Sequence, residues 1–298
     1  MPAPPQVSAA PARVRALGLN GRLRNKVPRF VKTIARRVAR LANHGFPRRT
    51  WRVLAGINLA GEGLEIGALA SPILNQRNYR VRYLDFTTRD RLIDHYRNDP
   101  NVVVEDIVDV DHVVVGKPMH EVVGEERLDY VIASHVIEHS PDFIGFLESS
   151  LRMLKPGGHL CLWAPDKRFT FDAIRRESTF DDILAAYRER RTKATLEQIG
   201  DFLSNTIEVD HIKAWNGEID FDRPRYYNER AAVTDTLRRL ADGYEYFDCH
   251  NWVFTDRGFR TLIDQIGARG LCDFEVDAFY PTKRHKLEFS CRLRKPRA

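Results

Sequence analysis

The sequence has no acidic residue before Glu62, whereas residues 1–61 carry 13 lysines and arginines. The formal net charge of +6 is therefore a sum of unlike parts, because the rest of the chain holds the other 34 bases and all 41 acids, a net of −7. A basic segment ahead of a mildly acidic body disfavours a uniformly cationic nucleic-acid binder. Only four cysteines occur (Cys161, Cys249, Cys272 and Cys291), with no C-x-x-C among them. That excludes a disulfide scaffold and predicts reduced, structural thiols. No apolar run approaches the ~20 residues of a spanning helix. The N-terminus lacks the apolar stretch of a secretory signal, and Pro2, Pro4, Pro5 and Pro11 predict a disordered leader on a cytoplasmic chain. Neither a complete G-x-G-x-x-G nor a G-x-x-x-x-G-K-[ST] is found. Without several converging loop amides, a pyrophosphate or triphosphate cradle is disfavoured.

What remains is ordinary soluble composition, 43% hydrophobic and 30% charged, in a chain long enough for one large domain with an inserted lobe. Phe30, Ile34, Val38 and Leu41 recur at helical spacing with basic residues between them, predicting a cationic amphipathic helix over residues 29–41. Such a helix either lies on an anionic membrane surface or packs its stripe on the body. From Gly63 the pattern becomes strand, turn, helix. Leu64 to Ile66 reads as a strand, with a helix after Ser71-Pro72. Val81 to Asp85 is a second strand, followed by a helix through Leu92, Ile93 and Tyr96. Residues 102–115 are strongly β-prone. Leu128 to Ser134 is a buried strand, Phe143 to Leu154 a helix, and His159 to Trp163 begins the next strand. Such alternation is the signature of parallel βαβ units.

The rhythm breaks over residues 166–249, which are polar, aromatic and helix-leaning. It returns with an N-cap at Thr255 and a helix through Phe259, Leu262, Ile263 and Ile266. Two alternating runs follow, Phe274 to Tyr280 and Leu287 to Leu293, joined by a short turn and so paired antiparallel. The expected fold is α/β: a doubly wound sheet of about seven strands, the last antiparallel, with a helical inserted lobe. The expected domains are a basic leader and helix over 1–55 and a main domain over 56–298, with a lobe at about 166–249.

Ligands bind such a sheet beyond the carboxyl ends of its strands. The first strand ends with Glu65 and Gly67, and Asp85 ends the second, twenty residues after Glu65. That spacing suits a carboxylate reaching two vicinal ribose hydroxyls. The segments LEIG…P, the strand-end Asp85, LDYVIASHVIEHSPD (128–142) and MLKPGGHLCLWAPD (153–166) together resemble Rossmann-like, class I S-adenosylmethionine-dependent methyltransferases. They most resemble the bacterial branch associated with glycosyltransferases. The resemblance covers about residues 60–166. It implies that Glu65 and Gly67 lie near the methionine part of the cofactor and that Asp85 takes the ribose hydroxyls. It further implies an acid after the third strand at the adenine, with Asp111 preferred to Asp109 and Asp106. Ser134 and His135 would face the cofactor and the transferred methyl. Leu69 and Ser71 stand where further glycines are common.

Displacement of methyl from sulfonium mainly requires alignment, and a hydroxyl acceptor also requires a base. His135, His139 and His250 are the leading candidates, with Asp166 as a further one, since imidazole titrates near neutrality. His135-Val-Ile-Glu138-His139 spells H-x-x-E-H, the pattern of inverted zinc peptidases. It follows a strand directly rather than lying within a helix, so no metal is assigned. The lobe is expected to supply the acceptor pocket, through Lys167, Arg168, Phe169, Phe171 and Asp172 and the aromatics Trp215, Tyr226, Tyr227, Tyr244, Tyr246 and Trp252. The bland account makes most of those aromatics core. The expected activity is therefore methyl transfer to oxygen or nitrogen of a small or glycan-linked acceptor, with nucleic acid disfavoured as a partner. A nucleic-acid methyltransferase using the basic N-terminus, a nucleotide oxidoreductase and a non-catalytic cofactor-binding module are the alternatives.

Overall fold

The computed structural model describes residues 48–297 apart from 245. The amphipathic segment 29–41 lies outside the described residues. The elements are α1 (Arg48–Leu54), β1 (Gly63–Ile66), β2 (Val81–Asp85), α2 (Arg89–Tyr96), β3 (His112–Val113), α3 (Met119–Val123), β4 (Leu128–Ser134), α4 (Phe143–Met153) and β5 (Leu154–Pro165). There follow α5 (Phe180–Glu189), α6 (Leu196–Asn205), α7 (His211–Trp215), α8 (Arg230–Ala241), α9 (Asp256–Ala268), β6 (Glu275–Tyr280) and β7 (Glu288–Arg294).

The seven strands form one sheet in the order β3-β2-β1-β4-β5-β7-β6. All neighbours from β3 to β5 are parallel, and β7 runs antiparallel to both β5 and β6. The fold is thus the expected doubly wound Rossmann-like sheet with an antiparallel last strand. Strand order reverses between β1 and β4, so the crevice where ligands settle lies at their carboxyl ends.

Alternation along β4 and β5 divides the core into two layers. Val131, Ala133, Leu160 and Leu162 pack with Phe143 and Leu147 of α4, Ile183 of α5 and Phe259, Leu262, Ile263 and Ile266 of α9. Tyr130, Ile132, Cys161 and Trp163 face the other way, onto Val53 and Leu54 of α1 and Leu74. All four cysteines are buried and unbridged, and burial raises the pKa of each thiol. They are core-filling thiols.

Two expected elements differ. Residues 68–80 form turns, with no helix after Ser71-Pro72. The cause is Glu65, whose carboxylate reaches forward and accepts from the backbone N–H of Ile73 (2.7 Å) and Leu74 (3.0 Å), while the Tyr83 hydroxyl donates to the Leu74 carbonyl. The β-prone stretch 102–115 yields only the two residues of β3, plus a 3₁₀ turn at Val104–Asp106. Here the Asp111 carboxylate accepts the Tyr83 N–H at 2.7 Å, a donor that a longer edge strand would otherwise receive.

Between β5 and α9 the chain is helical. α5 joins the main core through Phe180, Ile183 and Ala186. α6 and α8 enclose a separate cluster of Ile199, Phe202, Leu203, Val233 and Cys249, against which Phe171 and Tyr244 pack. Capping boxes at Thr179/Asp182 and Thr195/Gln198 start α5 and α6 by satisfying their first N–H groups.

Candidate active site

The carboxyl ends of β1, β2 and β4 meet one another and the segment 246–252. Gly67, directly after β1, has φ +66 and donates to the Leu84 carbonyl at 2.9 Å. A Cβ there would stand 2.8 Å from Val136 Cγ2. Only glycine permits both that conformation and the close passage of the 135–139 turn. Leu69, the departure from the usual glycine pattern, itself adopts φ +46, so the loop keeps a left-handed turn without a second glycine.

Asp85 is nearly buried and accepts the Phe86 N–H at 2.8 Å through Oδ1. Burial, together with the charge of Asp248, lifts its carboxyl to about 6 against the offsetting Phe86 bond. Glu65 is 2% exposed, and burial lifts it to about 7 despite its two backbone donors. With both oxygens bonded to Ile73 and Leu74, Glu65 shapes the loop.

Asp111 stands apart from this edge. It precedes β3 and is exposed, and its carboxylate is held by Tyr83 N and Gln76 Nε2. An acid following the third strand is therefore not Asp111. Asp109 is exposed and lies 3.5 Å from Arg89 Nε. Asp106 closes the 3₁₀ turn that packs against α2, and the next residue, Ile107, is buried among Ala70, Leu92, Leu69 and Phe86. Asp106 and Asp109 flank the two residues that meet the glycine loop, Ile107 packing on Leu69 and Ala70 and Val108 donating its N–H to the Leu69 carbonyl at 3.0 Å.

β4 ends in Ser134, paired in register with Trp163. His135 follows with φ +56, a left-handed conformation costing a non-glycine residue roughly 1–2 kcal/mol. It is held there from both sides. Its N–H donates to the Trp163 carbonyl, its Nε2 lies 2.9 Å from Glu288 Oε2 at the start of β7, and its Nδ1 lies 3.4 Å from Glu138 Oε1. Burial disfavours the imidazolium, but the carboxylates of Glu138 and Glu288 outweigh it and lift His135 to about 9. Glu288 also lines a cleft of about 190 Å³ with His211, His285, Lys286 and Leu287.

The other two histidines form carboxylate-backed pairs. His139 Nδ1 lies 2.8 Å from Asp248 Oδ1, and His250 Nδ1 lies 2.6 Å from Asp172 Oδ2. Their rings meet edge to face with centroids 4.7 Å apart. Burial lowers His139, but the adjacent Asp248 charge prevails and raises it to about 9. Burial likewise pushes Asp248 and Asp172 up, and is overridden by His139 in one case and by His250 and Arg175 in the other, so both stay below the usual carboxylate range. Arg175, 2% exposed, donates to Asp172, Asp201 and the His250 carbonyl. Backbone bonds lock the two segments together: Asn251 and Trp252 N–H donate to the Glu138 carbonyl, and Asn251 Nδ2 to the His139 carbonyl.

Tyr246 joins the two sides of the crevice. Its ring stacks on Phe86 at 4.7 Å and its hydroxyl lies 3.1 Å from Asp248 Oδ1. Other lobe residues serve elsewhere. Asp166 is wholly buried and occupied by Arg168 and Thr282. Trp215 stacks on Phe169 at 4.0 Å, Trp252 lies in the main core, and Tyr226 and Tyr227 flank the strand-like bridge at Ile207. The Tyr244 hydroxyl donates to the Ala194 carbonyl.

The structure thus brings Gly67, Asp85, His135, His139 and His250 to one crevice and leaves Asp111 outside it. Asp248, Arg175 and Glu288 are site residues that the sequence does not single out. Asp248 stands two residues before His250, an acid beside an imidazole being the only trace, and Glu288 is in a strand whose alternation reveals only the apolar face.

Among known proteins, a family model described as a methyltransferase domain matches residues 32–267. No curated protein sequence matches. Similar solved structures include an S-adenosylmethionine-dependent methyltransferase from Methanosarcina mazei, with 17% identity, TM-score 0.39, and coverage of 81% of this chain and 95% of that one. Another, from Mesorhizobium loti, has 11% identity, TM-score 0.41, and coverage of 84% and 100%. A Rhodobacter sphaeroides structure bearing the name of a Zn-dependent alcohol dehydrogenase has 15% identity, TM-score 0.43, and coverage of 84% and 90%. Likenesses this distant say nothing of substrate.

Proposed function

Since residues 32–267 match its model, the chain belongs to the methyltransferase domain family, and on that premise we propose that it transfers the methyl group of S-adenosylmethionine to an oxygen or nitrogen of a small or glycan-linked acceptor. The observation that carries this reading is the meeting of Gly67 and Asp85 with two carboxylate-backed imidazoles in one crevice.

The residues fit the donor. Gly67 offers a side-chain-free backbone at the end of β1. Asp85 has one carboxylate oxygen on its neighbour's N–H and the other to offer to ribose hydroxyls. Asp106 and Asp109, either side of the Ile107-Val108 contact with the glycine loop, are the acids for the adenine amine. Glu65 acts one step removed, by fixing the path of residues 68–74. Phe86 and Tyr246 flank this edge with stacked rings.

S-adenosylmethionine supplies a methyl group on a sulfonium, which an aligned nucleophile displaces in line. The chain's task is to place and deprotonate that nucleophile. Asp248 and Asp172 each hold an imidazole by Nδ1, so that in the neutral ring the Nε2 of His139 or His250 accepts the substrate's proton. With His139 raised to about 9, its neutral form is the minor one at neutral pH, and turnover through it rises toward pH 9. His139, about a third exposed, is the one that an incoming acceptor reaches first.

Labelled-methyl transfer to a panel of glycan, lipid-linked, small-molecule and RNA acceptors tests the reading. Transfer to a glycan or small molecule, with donor binding lost in Asp85→Ala, is the expected result. Calorimetry showing no donor binding, with Asp85→Ala indistinguishable from the parent, would favour the non-catalytic module instead.

The glycan preference rests on the resemblance to the glycosyltransferase-associated branch. Docking of residues 29–41 on an anionic membrane rests on their cationic stripe. Among the described residues, no helix is long and apolar enough to cross a membrane. Deleting residues 1–45 should abolish liposome binding and spare turnover on a small acceptor. Loss of activity on RNA alone would point to the nucleic-acid alternative.

A further inference from the structure

Glu138 poses a problem that the proposed reaction leaves unsolved. Its side chain is fully buried, yet neither carboxylate oxygen has a hydrogen-bond partner among the described residues. The nearest cationic atom is His135 Nδ1 at 3.4 Å, and that ring already bonds Glu288 at 2.9 Å. A buried carboxylate without hydrogen bonds is costly to keep. His135 meets only Oε1, and Oε2 has no donor among the described residues.

The two imidazoles beside it are arranged alike. Each has Nδ1 fixed by a carboxylate, Asp248 for His139 and Asp172 for His250. A neutral imidazole so held donates from Nδ1 and keeps a lone pair on Nε2. One backed imidazole suffices for a general base. Two of them around a third, unpartnered carboxylate exceed what proton removal requires and reproduce the carboxylate–histidine–metal pattern. Donor atoms of Glu138, His139 and His250 all lie within 4.8 Å of one another. Metal–ligand bonds of about 2.0–2.2 Å bring such donors to roughly 3–3.5 Å, so side-chain adjustments of about an ångström would close the site.

We infer that Glu138, His139 and His250 bind one divalent cation of borderline softness, such as Zn²⁺ or Mn²⁺, and present it to the acceptor. Two imidazoles and one carboxylate suit that class better than Mg²⁺ or Ca²⁺, which prefer oxygen ligands alone. Three protein ligands leave a position open, and His139 is partly exposed, which is the form of a catalytic site. With Nε2 of His139 and His250 on the cation, an acceptor hydroxyl entering the open position would lose its proton to water more readily, in place of direct transfer to an imidazole. The resulting oxygen would form the new bond to carbon as the C–S bond breaks and sulfur retains the electron pair. This role rests on the methyltransferase reading above; the cation site itself does not.

The test is titration of the full, chelator-treated chain with Co²⁺ in the absence of methyl donor, followed by visible absorption and Zn²⁺ competition. One Co²⁺ per chain is expected. Affinity should fall at least ~100-fold in Glu138→Gln and about 10–100-fold in Asp248→Asn, whose carboxylate only positions His139. Circular dichroism confirms that each variant is folded, and the neutral Asp248→Asn change keeps the test decisive if Glu138→Gln is not. No saturable binding, or equal binding by parent and Glu138→Gln, would overturn the inference, as would undiminished methyl transfer in chelator. Saturable binding without methyl transfer to any acceptor would leave the site standing and remove the functional reading instead.

Discussion

The two sides of the crevice hold their buried carboxylates in opposite ways. On the β1–β2 side, Glu65 and Asp85 have only backbone N–H donors, and burial lifts them to about 7 and about 6. On the side of residues 135–139 and 246–252, Asp172 and Asp248 face imidazoles, with Arg175 behind Asp172, and both are depressed. The first arrangement is uncompensated until a cationic or hydroxyl-rich ligand arrives. The second is neutralised by the protein itself. Affinity for a donor should therefore track the first side, and chemistry and stability the second.

The strongest way to break this contrast is Arg175→Met. Removing one partner of a buried ion network leaves Asp172 with His250 alone, and Asp201 and the His250 carbonyl without the Arg175 donor, which costs about 3–5 kcal/mol, visible as a lowered melting temperature. Donor affinity of the folded fraction should barely change; a large rise in Kd would show the two sides to be one unit. Next comes His139→Ala, expected to lower kcat by about 10²–10⁴-fold with donor Kd within about two- to threefold of the parent, read by single-turnover kinetics and calorimetry.

On the other side, donor binding should depend on pH through Asp85. The ionised form accepts ribose hydroxyls and attracts the sulfonium. With its carboxyl near 6, affinity should rise as pH increases through about 6 and level off above. Asp85→Asn should bind weakly at every pH, and a parent profile that is flat or falls with pH would refute the assignment. The mildest variant is Glu65→Gln. Glu65 is raised from its ordinary 4.5 to about 7, so its ionised form disfavours the fold and parent stability should decline as pH rises from about 4.5 through 7. The variant should lack that component, measured by urea denaturation across this range.

The same contrast explains what was legible beforehand. β1, β2, β4, α4, α9 and the β6–β7 pair follow from apolar periodicity, because each is built on a continuous local pattern. Gly67 and Asp85 stand out as candidates in the sequence because a strand end is a local signal. The turns at 68–80 and the brief β3 were not, because single side chains, Glu65 and Asp111, take backbone donors that propensity assigns to a helix or a strand. Asp111 was misplaced for the same reason, since β3 begins after it. The pairs His139–Asp248 and His250–Asp172 join residues 109 and 78 positions apart, and nothing local announces such a contact. The histidines could be named as candidates, whereas their carboxylate backing needed the fold.

The bond between His135 and Glu288 spans 153 positions, from the end of β4 to the beginning of β7. β7 lies between β5 and β6 in the sheet, so during synthesis the outer edge of β5 stays unpaired until residues 288–294 have left the ribosome. His135 is then without the carboxylate that holds its left-handed backbone. The crevice therefore matures only after β7 is made, and a nascent chain that lacks β7 carries an open strand edge, which is a template for aggregation. Chains stalled before residue 288 should be insoluble as well as inactive, and cellular yield should depend on the β6–β7 hairpin more steeply than its share of the core suggests.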